Sequence, residues 1–205
     1  MDKKRTVFLD RDGTLCRDVG YPAHWSQVHV YPYAFKAVRR LREAGLAVVV
    51  ITSQSGIGRG FFAEADLTAL HHEFAAAFAR RGAALDALYH CPHYTPGAGE
   101  GGCPCGKPNP GLALRAAADL DLELKESYVI GDKASDILFG VAIGALPVLV
   151  LTGYGRSARR DLERRGVRPA HVAADLAAAA GWIYDRERRA SGCPGDAVSG
   201  SRTHR

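Results

Sequence analysis

The sequence predicts an α/β fold in which helices cover both faces of a mainly parallel central sheet. Short apolar runs alternate along the chain with segments of helical periodicity, and this alternation is typical of parallel sheets with right-handed crossovers. One run, residues 47–51, is continuously apolar, which is typical of a strand that is covered on both faces. Because such sheets bind ligands beyond the carboxyl ends of their strands, the turns after these runs are candidate functional sites.

The elements follow from the apolar runs and from the glycines and prolines between them. Residues 16–33 have no sustained period and are predicted to form a loop over the site. Strands are predicted at residues 7–9, 47–51, 85–89, 127–130 and 148–151, with a short edge strand near 171–173. Helices are predicted over residues 35–45 and 64–81, after Asn109 as N-cap, between residues 133 and 143, and over parts of 162–190.

The bulk properties of the chain limit its class. A length of 205 residues suits one domain, predicted over residues 1–190, and the Gly-, Ser- and Pro-rich residues 191–205 are predicted to be disordered. There is no apolar run of membrane-spanning length and no signal-like start, so we expect a cytoplasmic protein. The net charge of +5 lies entirely in residues 156–205. We therefore expect no specific nucleic-acid partner and no membrane partner.

The first strand delivers two carboxylates to its carboxyl end. The run Val7-Phe8-Leu9 leads into Asp10 and Asp12, and Gly13 then lets the chain turn away. Two acids so close together are unfavourable unless a cation neutralises them or one of them is protonated. The pattern indicates a reactive site, and the structural alternative is a polar turn, in which Asp and Gly are common.

Later segments supply residues that would complete such a site. Thr52 and Ser53 offer hydroxyl and N–H groups to an anion, Asp132 offers a third carboxylate, and Lys107 or Lys133 offers positive charge. The set predicts phosphoryl transfer, in which the first acid attacks phosphorus and the second protonates the leaving oxygen and then activates water. Acids that face a phosphate need a divalent cation, and Mg²⁺ is the expected ion. Each residue alone has an alternative as a cap or a solvated surface charge.

Four potential zinc ligands lie in the Gly- and Pro-rich loop 91–106: Cys91, His93, Cys103 and Cys105. A Cys₃His set fills a tetrahedral site without a vacancy, so the zinc is expected to be structural. It would order the loop and hold Lys107 over the site. The alternative is loose cysteines in a surface loop. His71 and His72 are expected to be surface residues of a helix.

The chain resembles the haloacid dehalogenase (HAD) superfamily of phosphatases, whose pattern is DxDGT, a strand ending in Thr or Ser, a lysine, and a strand ending in GD. The match covers about residues 5–155. The resemblance implies a Rossmann-like fold. It also implies that Mg²⁺ is held by the side chains of Asp10 and Asp132 and by the backbone carbonyl of Asp12. Asp136 supports the metal through water, orients a neighbouring group or is a helix-surface acid. The roles implied by position are Asp10 as nucleophile, Asp12 as general acid/base, Thr52 as phosphate binder, Lys107 as the superfamily lysine and Asp132 as metal ligand.

A narrower resemblance rests on FLDRDGTL, residues 18–21, TSQSGIGRG, CPH, CxCGKP and GDK. These motifs are similar to those of heptose bisphosphate phosphatases and their histidinol-phosphate relatives, which are small, lack a large cap domain and carry a zinc loop. The resemblance implies removal of the C7 phosphate of a heptose 1,7-bisphosphate in nucleotide-activated heptose biosynthesis, with histidinol phosphate as the alternative substrate. A monomer that binds a small sugar phosphate is expected. The substrate contacts implied by position are Asp18, Val19, Gly20, Tyr21, Thr52, Ser53, Gln54, Ser55, Lys107 and Lys133.

Two positions depart from the family pattern. The family usually has Asn where Ser53 stands, and Arg where Gly106 precedes the lysine. The second change removes a planar, two-pronged phosphate or sugar contact that lysine cannot replace geometrically. Arg59 or a residue of the 17–33 loop is a candidate to compensate for this loss.

A function of a different class also fits part of the sequence. A zinc-stabilised module could use the basic C-terminal region to bind a polyanion or an acidic partner. This alternative leaves the acids at the strand ends unexplained.

Overall fold

The computed structural model describes residues 3–94, 96 and 102–191. A single sheet of six strands forms its centre. The strands are β1 (Lys4–Leu9), β2 (Ala47–Ser53), β3 (Ala87–Cys91), β4 (Leu122–Gly131), β5 (Leu146–Val150) and β6 (His171–Ala173). They run in the order β3-β2-β1-β4-β5-β6, and all the pairings are parallel. The two strands that bear the candidate acids, β1 and β4, are therefore neighbours at the centre of the sheet.

Six α-helices connect and cover the strands. They are α1 (Ala34–Glu43), α2 (Glu64–Ala79), α3 (Gly111–Leu120), α4 (Ala134–Ala142), α5 (Gly155–Arg164) and α6 (Leu176–Ala190). The segment between β1 and α1 is a loop with one short 3₁₀ turn at Trp25–Gln27, as predicted. None of the described helices is both long and apolar enough to span a membrane. The predicted disordered tail lies outside the described residues, apart from Ser191.

The two faces of the sheet carry separate apolar cores. On β1, Val7 and Leu9 belong to a cluster that includes residues of α1, α2 and α6, whereas Phe8 packs on the opposite face with residues of α3 and α4. The alternation follows from the two-residue period of a strand. A smaller cluster, which includes Leu149 and Leu162, packs α5 near β5. The predicted α/β class with helices on both faces is confirmed, and the described residues include no large cap domain.

Several element boundaries differ from the sequence predictions. Strand β1 begins at Lys4 rather than at 7, β3 is Ala87–Cys91 rather than 85–89, and α5 (Gly155–Arg164) lies mostly before the predicted range 162–190. Two further differences have a clear cause. Strand β4 begins at Leu122 rather than at 127, because its charged first half pairs with Lys4 on β1. This pairing depends on the neighbouring strand, so the apolar pattern did not reveal it. Helix α3 begins at Gly111 with Pro110 as its N-cap, and the side chain of Asn109 instead donates a hydrogen bond of 2.7 Å to the carbonyl of Cys103. Asn109 therefore anchors the preceding loop.

A buried acid near the end of α6 ties this helix to the sheet. Glu187 is 4% exposed, accepts a hydrogen bond of 2.5 Å from the Tyr128 hydroxyl, and pairs with Arg5. Burial, followed by the bond to Glu187, raises the pKa of Tyr128 to about 12. Removal of the acid would leave the tyrosine hydroxyl buried without its partner.

We expect Glu187→Ala to lower the free energy of unfolding by about 2–4 kcal/mol, because it removes both contacts and leaves a small cavity. Urea unfolding followed by circular dichroism measures the change. Asp185→Ala is the matched control, because Asp185 lies on the same helix, is 57% exposed and pairs with Arg40 at 3.5 Å. Its expected effect is below about 0.5 kcal/mol. Equal losses in the two variants would contradict the structural role of Glu187.

Candidate active site

The carboxyl ends of β1 and β4 bring the predicted acids together. Asp10 follows β1 directly, and Asp132 follows β4. Their carboxylates and that of Asp136, in the first turn of α4, each place an oxygen within 4.8 Å of the others. All three side chains are buried, and we call them the acidic trio. The structure thus brings together residues 10 and 132, as the sequence predicted, and adds Asp136 as a buried member rather than a surface acid.

Two oxygens of the acidic trio, Asp10 Oδ2 and Asp132 Oδ1, have no hydrogen-bond partner in the described part of the chain. A buried carboxylate oxygen without a partner is costly, so both atoms are candidates to bind a cation or to carry a proton. The other Asp132 oxygen accepts from the Tyr154 N–H at 2.7 Å. Only glycine fits at positions 13 and 153 beside this carboxylate. A Cβ at Gly13 would lie 2.2 Å from Asp132 Oδ2, and a Cβ at Gly153 would lie 2.1 Å from it. This arrangement fits a hard cation such as Mg²⁺.

Burial and charge crowding raise the pKa values of Asp10 and Asp132. Burial, reinforced by the negative charges of Asp10 and Asp136, raises the pKa of Asp132 to about 8. Burial also raises the pKa of Asp10, although the positive charge of Lys107 opposes this effect. A bound divalent cation would favour the ionised carboxylates.

Lys107 supplies positive charge at this end of the sheet. Its Nζ donates to Asp10 Oδ1 at 2.6 Å, to Asp136 Oδ1 at 2.5 Å and to the carbonyl of Ile51 at 3.2 Å. Burial acts to lower the pKa of this lysine, but the two carboxylates outweigh burial and raise it. The ammonium group therefore stays charged, holds one oxygen of Asp10 and leaves the other oxygen free.

A second polar network holds the carboxylate of Asp12 beside the acidic trio. Arg11 Nε lies 3.1 Å from both Asp12 oxygens, and Gln54 Nε2 donates to Asp12 Oδ2 at 2.9 Å. The same Gln54 amide donates to Thr52 Oγ1 at 2.8 Å. Behind this group, Arg11 Nη1 lies 3.1 Å from Nε2 of His71 on α2. The network fixes the orientation of the Asp12 carboxylate.

The position of His71 shows that the prediction of a surface residue was wrong. His72 is exposed as expected, but His71 is only 9% exposed and contacts the fully buried Arg11. Burial, followed by the positive charge of Arg11, lowers the pKa of His71 to about 3. The imidazole is therefore neutral at pH 7 and can accept a hydrogen from Arg11. The pattern of α2 alone could not indicate this contact, because Arg11 comes from the turn after β1.

A cleft of about 630 Å³ opens over these residues. Val19 is 45% exposed and is not among its lining residues, while Thr52 and Gln54 are buried in the network around Asp12. The predicted residues that line the cleft are Asp12, Asp18, Gly20, Tyr21, Ser53, Ser55, Lys107 and Lys133. The cleft wall also includes Arg59, Tyr94 and Tyr154, none of which was among the predicted substrate contacts. Arg59 was named from the sequence only as a candidate to compensate for Gly106, and no sequence signal pointed to the two tyrosines.

The four predicted zinc ligands form a compact cluster in the wall of the cleft. The ligand atoms of Cys91, His93, Cys103 and Cys105 all lie within 4.8 Å of one another, with closest contacts of 3.1–3.7 Å. The N–H of Gly106 donates to Cys103 Sγ at 3.1 Å. Three sulfur atoms and one nitrogen are a donor set that suits Zn²⁺. Lys107 lies two residues beyond the last ligand, so the loop and the acidic trio are directly connected.

The fold is that of HAD-like hydrolases, and residues 104–179 match the family model described as "HAD-hyrolase-like". The D-glycero-D-manno-heptose-1,7-bisphosphate 7-phosphatase of Thermosynechococcus vestitus is 39% identical over 186 residues, or 86% of this chain and 94% of that protein. The D-glycero-beta-D-manno-heptose-1,7-bisphosphate 7-phosphatase of Escherichia coli strain K12 is 40% identical over 151 residues, or 72% of this chain and 79% of that protein.

A solved structure is similar over nearly the whole fold. The D,D-heptose 1,7-bisphosphate phosphatase from B. bronchiseptica, complexed with magnesium and phosphate, matches with a TM-score of 0.78 at 34% identity. The match covers 89% of this chain and 99% of that chain. The chain therefore belongs to the heptose 1,7-bisphosphate 7-phosphatase family of HAD-like hydrolases.

The low pKa of His71 predicts a specific pH dependence of stability. The unfolded chain binds a proton at this residue below about pH 6.5, whereas the folded chain does so only near pH 3. Stability from this group is therefore complete above pH 6.5 and falls as the pH decreases through that window. His71→Gln keeps an acceptor for Arg11 but does not titrate. When the pH is lowered from 7 to 5, the free energy of unfolding should therefore decrease by about 1–2 kcal/mol less in His71→Gln than in the wild type.

Urea unfolding at the two pH values measures this difference. His72→Gln is the matched control, because the neighbouring histidine is exposed, and its pH dependence should equal that of the wild type. An unchanged pH dependence in His71→Gln would show that His71 titrates normally in the folded protein.

Proposed function

We propose that the chain is a Mg²⁺-dependent phosphatase that removes the C7 phosphate of D-glycero-D-manno-heptose 1,7-bisphosphate through an aspartyl-phosphate intermediate. Family membership supports the reaction and the substrate class, because the named relatives are heptose bisphosphate phosphatases of 39–40% identity. It also favours an enzyme over the polyanion-binding module. The observation that carries the mechanism is the pairing of Lys107 with Asp10 beside two partnerless carboxylate oxygens. The biosynthesis of nucleotide-activated heptose is the pathway in which we place the reaction.

In the first step, Asp10 acts as the nucleophile. Lys107 holds Oδ1, so Oδ2 is the oxygen with a free lone pair. This oxygen forms a bond to phosphorus while the bond between phosphorus and the sugar oxygen breaks. Asp12 gives its proton to the departing oxygen as general acid. The buried Lys107 ammonium stabilises the negative charge of the phosphoryl group during transfer.

In the second step, water releases phosphate from Asp10. Asp12, now ionised, takes a proton from water, the water oxygen bonds to phosphorus, and the bond to the aspartate oxygen breaks. The hydrogen bonds from Arg11 and Gln54 keep the Asp12 carboxylate in one orientation through both steps. The hydroxyl oxygen of Thr52 accepts a hydrogen bond from the same Gln54 amide. The hydroxyl hydrogen of Thr52 is therefore available to donate to a phosphate oxygen.

The side chains of Asp10 and Asp132 and the backbone carbonyl of Asp12 are the groups that we propose to hold Mg²⁺. The partnerless oxygens and the glycine-lined space around Asp132 support this assignment. When bound, the ion would neutralise part of the phosphate charge and lower the electrostatic cost of bringing a dianion to the acids. Asp136 has a different role, because its carboxylate accepts hydrogen bonds from the Lys107 ammonium and from the backbone N–H of Lys133.

We assign Zn²⁺ to the Cys₃His cluster, in a structural role. Four protein ligands leave no coordination position for substrate, so the ion would act only through the loop that it holds. Thiolate ligands agree with a reducing compartment, and we therefore place the protein in the cytoplasm. We further propose that it acts as a monomer, since every group in the mechanism comes from one chain.

Steady-state phosphate release on heptose 1,7-bisphosphate and on histidinol phosphate tests the function. The wild type should have the higher kcat/KM on the heptose, and EDTA should abolish turnover until Mg²⁺ is restored. Asp10→Asn should lower kcat by on the order of 10³-fold or more, because the amide is a poor nucleophile. Asp119→Asn, at a half-exposed position on α3, is the control and should leave kcat unchanged.

Two outcomes would contradict the proposal at different points. Turnover retained in Asp10→Asn excludes the covalent mechanism. A higher kcat/KM for histidinol phosphate excludes the heptose assignment while the phosphatase class stands. Circular dichroism of each variant separates a loss of chemistry from a loss of folding.

The zinc assignment predicts about one zinc ion per chain in protein purified without chelator. Cys103→Ser should lose the zinc and lower kcat at least about tenfold, because the loop that positions Lys107 loses its order. Elemental analysis and phosphate release measure the two effects. Cys193→Ser, a thiol outside the loop, is the matched control for both. Zinc-free Cys103→Ser protein with full activity would overturn the positioning role, and zinc-free wild type would overturn the zinc site.

A further inference from the structure

The cleft contains a cationic side chain that the mechanism leaves unused. Three cations line it: Arg59, Lys107 and Lys133. Lys107 forms ion pairs with Asp10 and Asp136 of the acidic trio. The Nζ atom of Lys133 lies 3.3 Å from Asp18 Oδ2. In the described part of the chain, Arg59 makes no ion pair and its guanidinium instead lies 3.6 Å from the centroid of the Tyr94 ring. Among the described residues, Arg59 is therefore the cation of this cleft whose charge no carboxylate offsets.

The guanidinium of Arg59 lies between two loops of the cleft. It stacks on Tyr94 in the segment that carries the zinc ligands and is 5.9 Å from the ring of Tyr21 in the loop after β1. Both tyrosines line the cleft. Stacking on an aromatic face restricts a long side chain and leaves the in-plane N–H groups of a guanidinium available to an oxyanion.

The backbone around Arg59 is also closely packed. The N–H of Gly58 donates to the carbonyl of Pro92 at 2.9 Å, and a Cβ at Gly58 would lie 2.6 Å from the Tyr94 nitrogen. A Cβ at Gly56 would lie 2.9 Å from the Tyr21 ring. These close approaches dock the turn after β2 onto both loops, so the position of Arg59 is set by backbone contacts and not by its side chain alone.

A bisphosphate substrate needs two anion sites in one cleft. The phosphate that is cleaved must reach Asp10, where Lys107 and the acids dominate the field. The second phosphate cannot share this space, because two phosphate groups repel each other and the local acids add more negative charge. It therefore needs a separate cation, and a guanidinium offers two parallel N–H donors to phosphate oxygens.

We propose that Arg59, stacked on Tyr94, binds the phosphate of the substrate that is not hydrolysed. This inference rests on the proposed bisphosphate substrate. It makes Arg59 a specificity residue that selects bisphosphates over monophosphates and takes no part in bond making or breaking. Gly106, which also lines the cleft, offers no side chain for this task.

The test compares heptose 1,7-bisphosphate with heptose 7-phosphate, which carries only the phosphate to be cleaved. Arg59→Gln should raise KM for the bisphosphate about 10–100-fold, the range expected for loss of charged hydrogen bonds, with kcat changed less than about twofold. Its kcat/KM on the monophosphate should equal that of the wild type. Arg59→Lys should recover only part of the loss, because an ammonium cannot form the two-pronged contact.

Arg115→Gln is the matched control. Arg115 lies 5.6 Å from the ring centroid of Tyr89, outside the cleft, so the variant removes a guanidinium near an aromatic ring without touching the site. It should leave both substrates unaffected. Tyr94→Ala should raise KM for the bisphosphate alone by about 2–5-fold, because it removes the surface that orients the guanidinium.

Each other outcome has a definite meaning. An unchanged KM for the bisphosphate in Arg59→Gln overturns the assignment while the proposed function stands. Equal losses on both substrates overturn it too, and show that Arg59 supports the cleaved phosphate or the fold. A bisphosphate-selective loss in Lys133→Gln, but not in Arg59→Gln, moves the second site to Lys133. Failure of the wild type to hydrolyse the bisphosphate removes the proposed function and this inference together.

Discussion

The contact of Lys107 with Asp10 and Asp136 is the interaction on which the rest of the site depends. Three buried carboxylates at one end of a sheet repel each other, and burial adds to the cost of their charge. One ammonium offsets part of this charge and leaves an excess that a bound cation or a proton can balance. The partnerless oxygens of Asp10 and Asp132 are the structural sign of this excess. The protein thus keeps an unfavourable arrangement where its chemistry needs one.

The lysine reaches this position from a segment with little apolar content. Loop 91–106 has few side chains that could bury themselves and fix its path. The Cys₃His cluster, the bond from Asn109 to Cys103 and the short link to Lys107 together connect the loop to the acids. A metal with no part in the chemistry would in this way determine where the catalytic cation lies.

Two acids that are neighbours in sequence lie in different environments. Asp10 contacts Lys107 and faces the acidic trio, whereas Asp12 is held by Arg11 and Gln54. The two acids therefore have different hydrogen-bond partners, in line with the separate roles proposed for them. The neutral His71 behind Arg11 belongs to the same arrangement, because its Nε2 lies 3.1 Å from Nη1 of a guanidinium that has no access to solvent.

The amino-acid sequence was enough to predict the α/β class, the strand ends that carry Asp10, Thr52 and Asp132, and the clustering of three cysteines with one histidine. These features are encoded locally, in the period of apolar residues and in the spacing of chemical groups along short segments. The burial of His71 and the stacking of Arg59 on Tyr94 follow from the tertiary structure. So do the early start of β4 and the pairing of Lys107 with two acids. Each of these depends on contacts between residues distant in the chain, which no local pattern records.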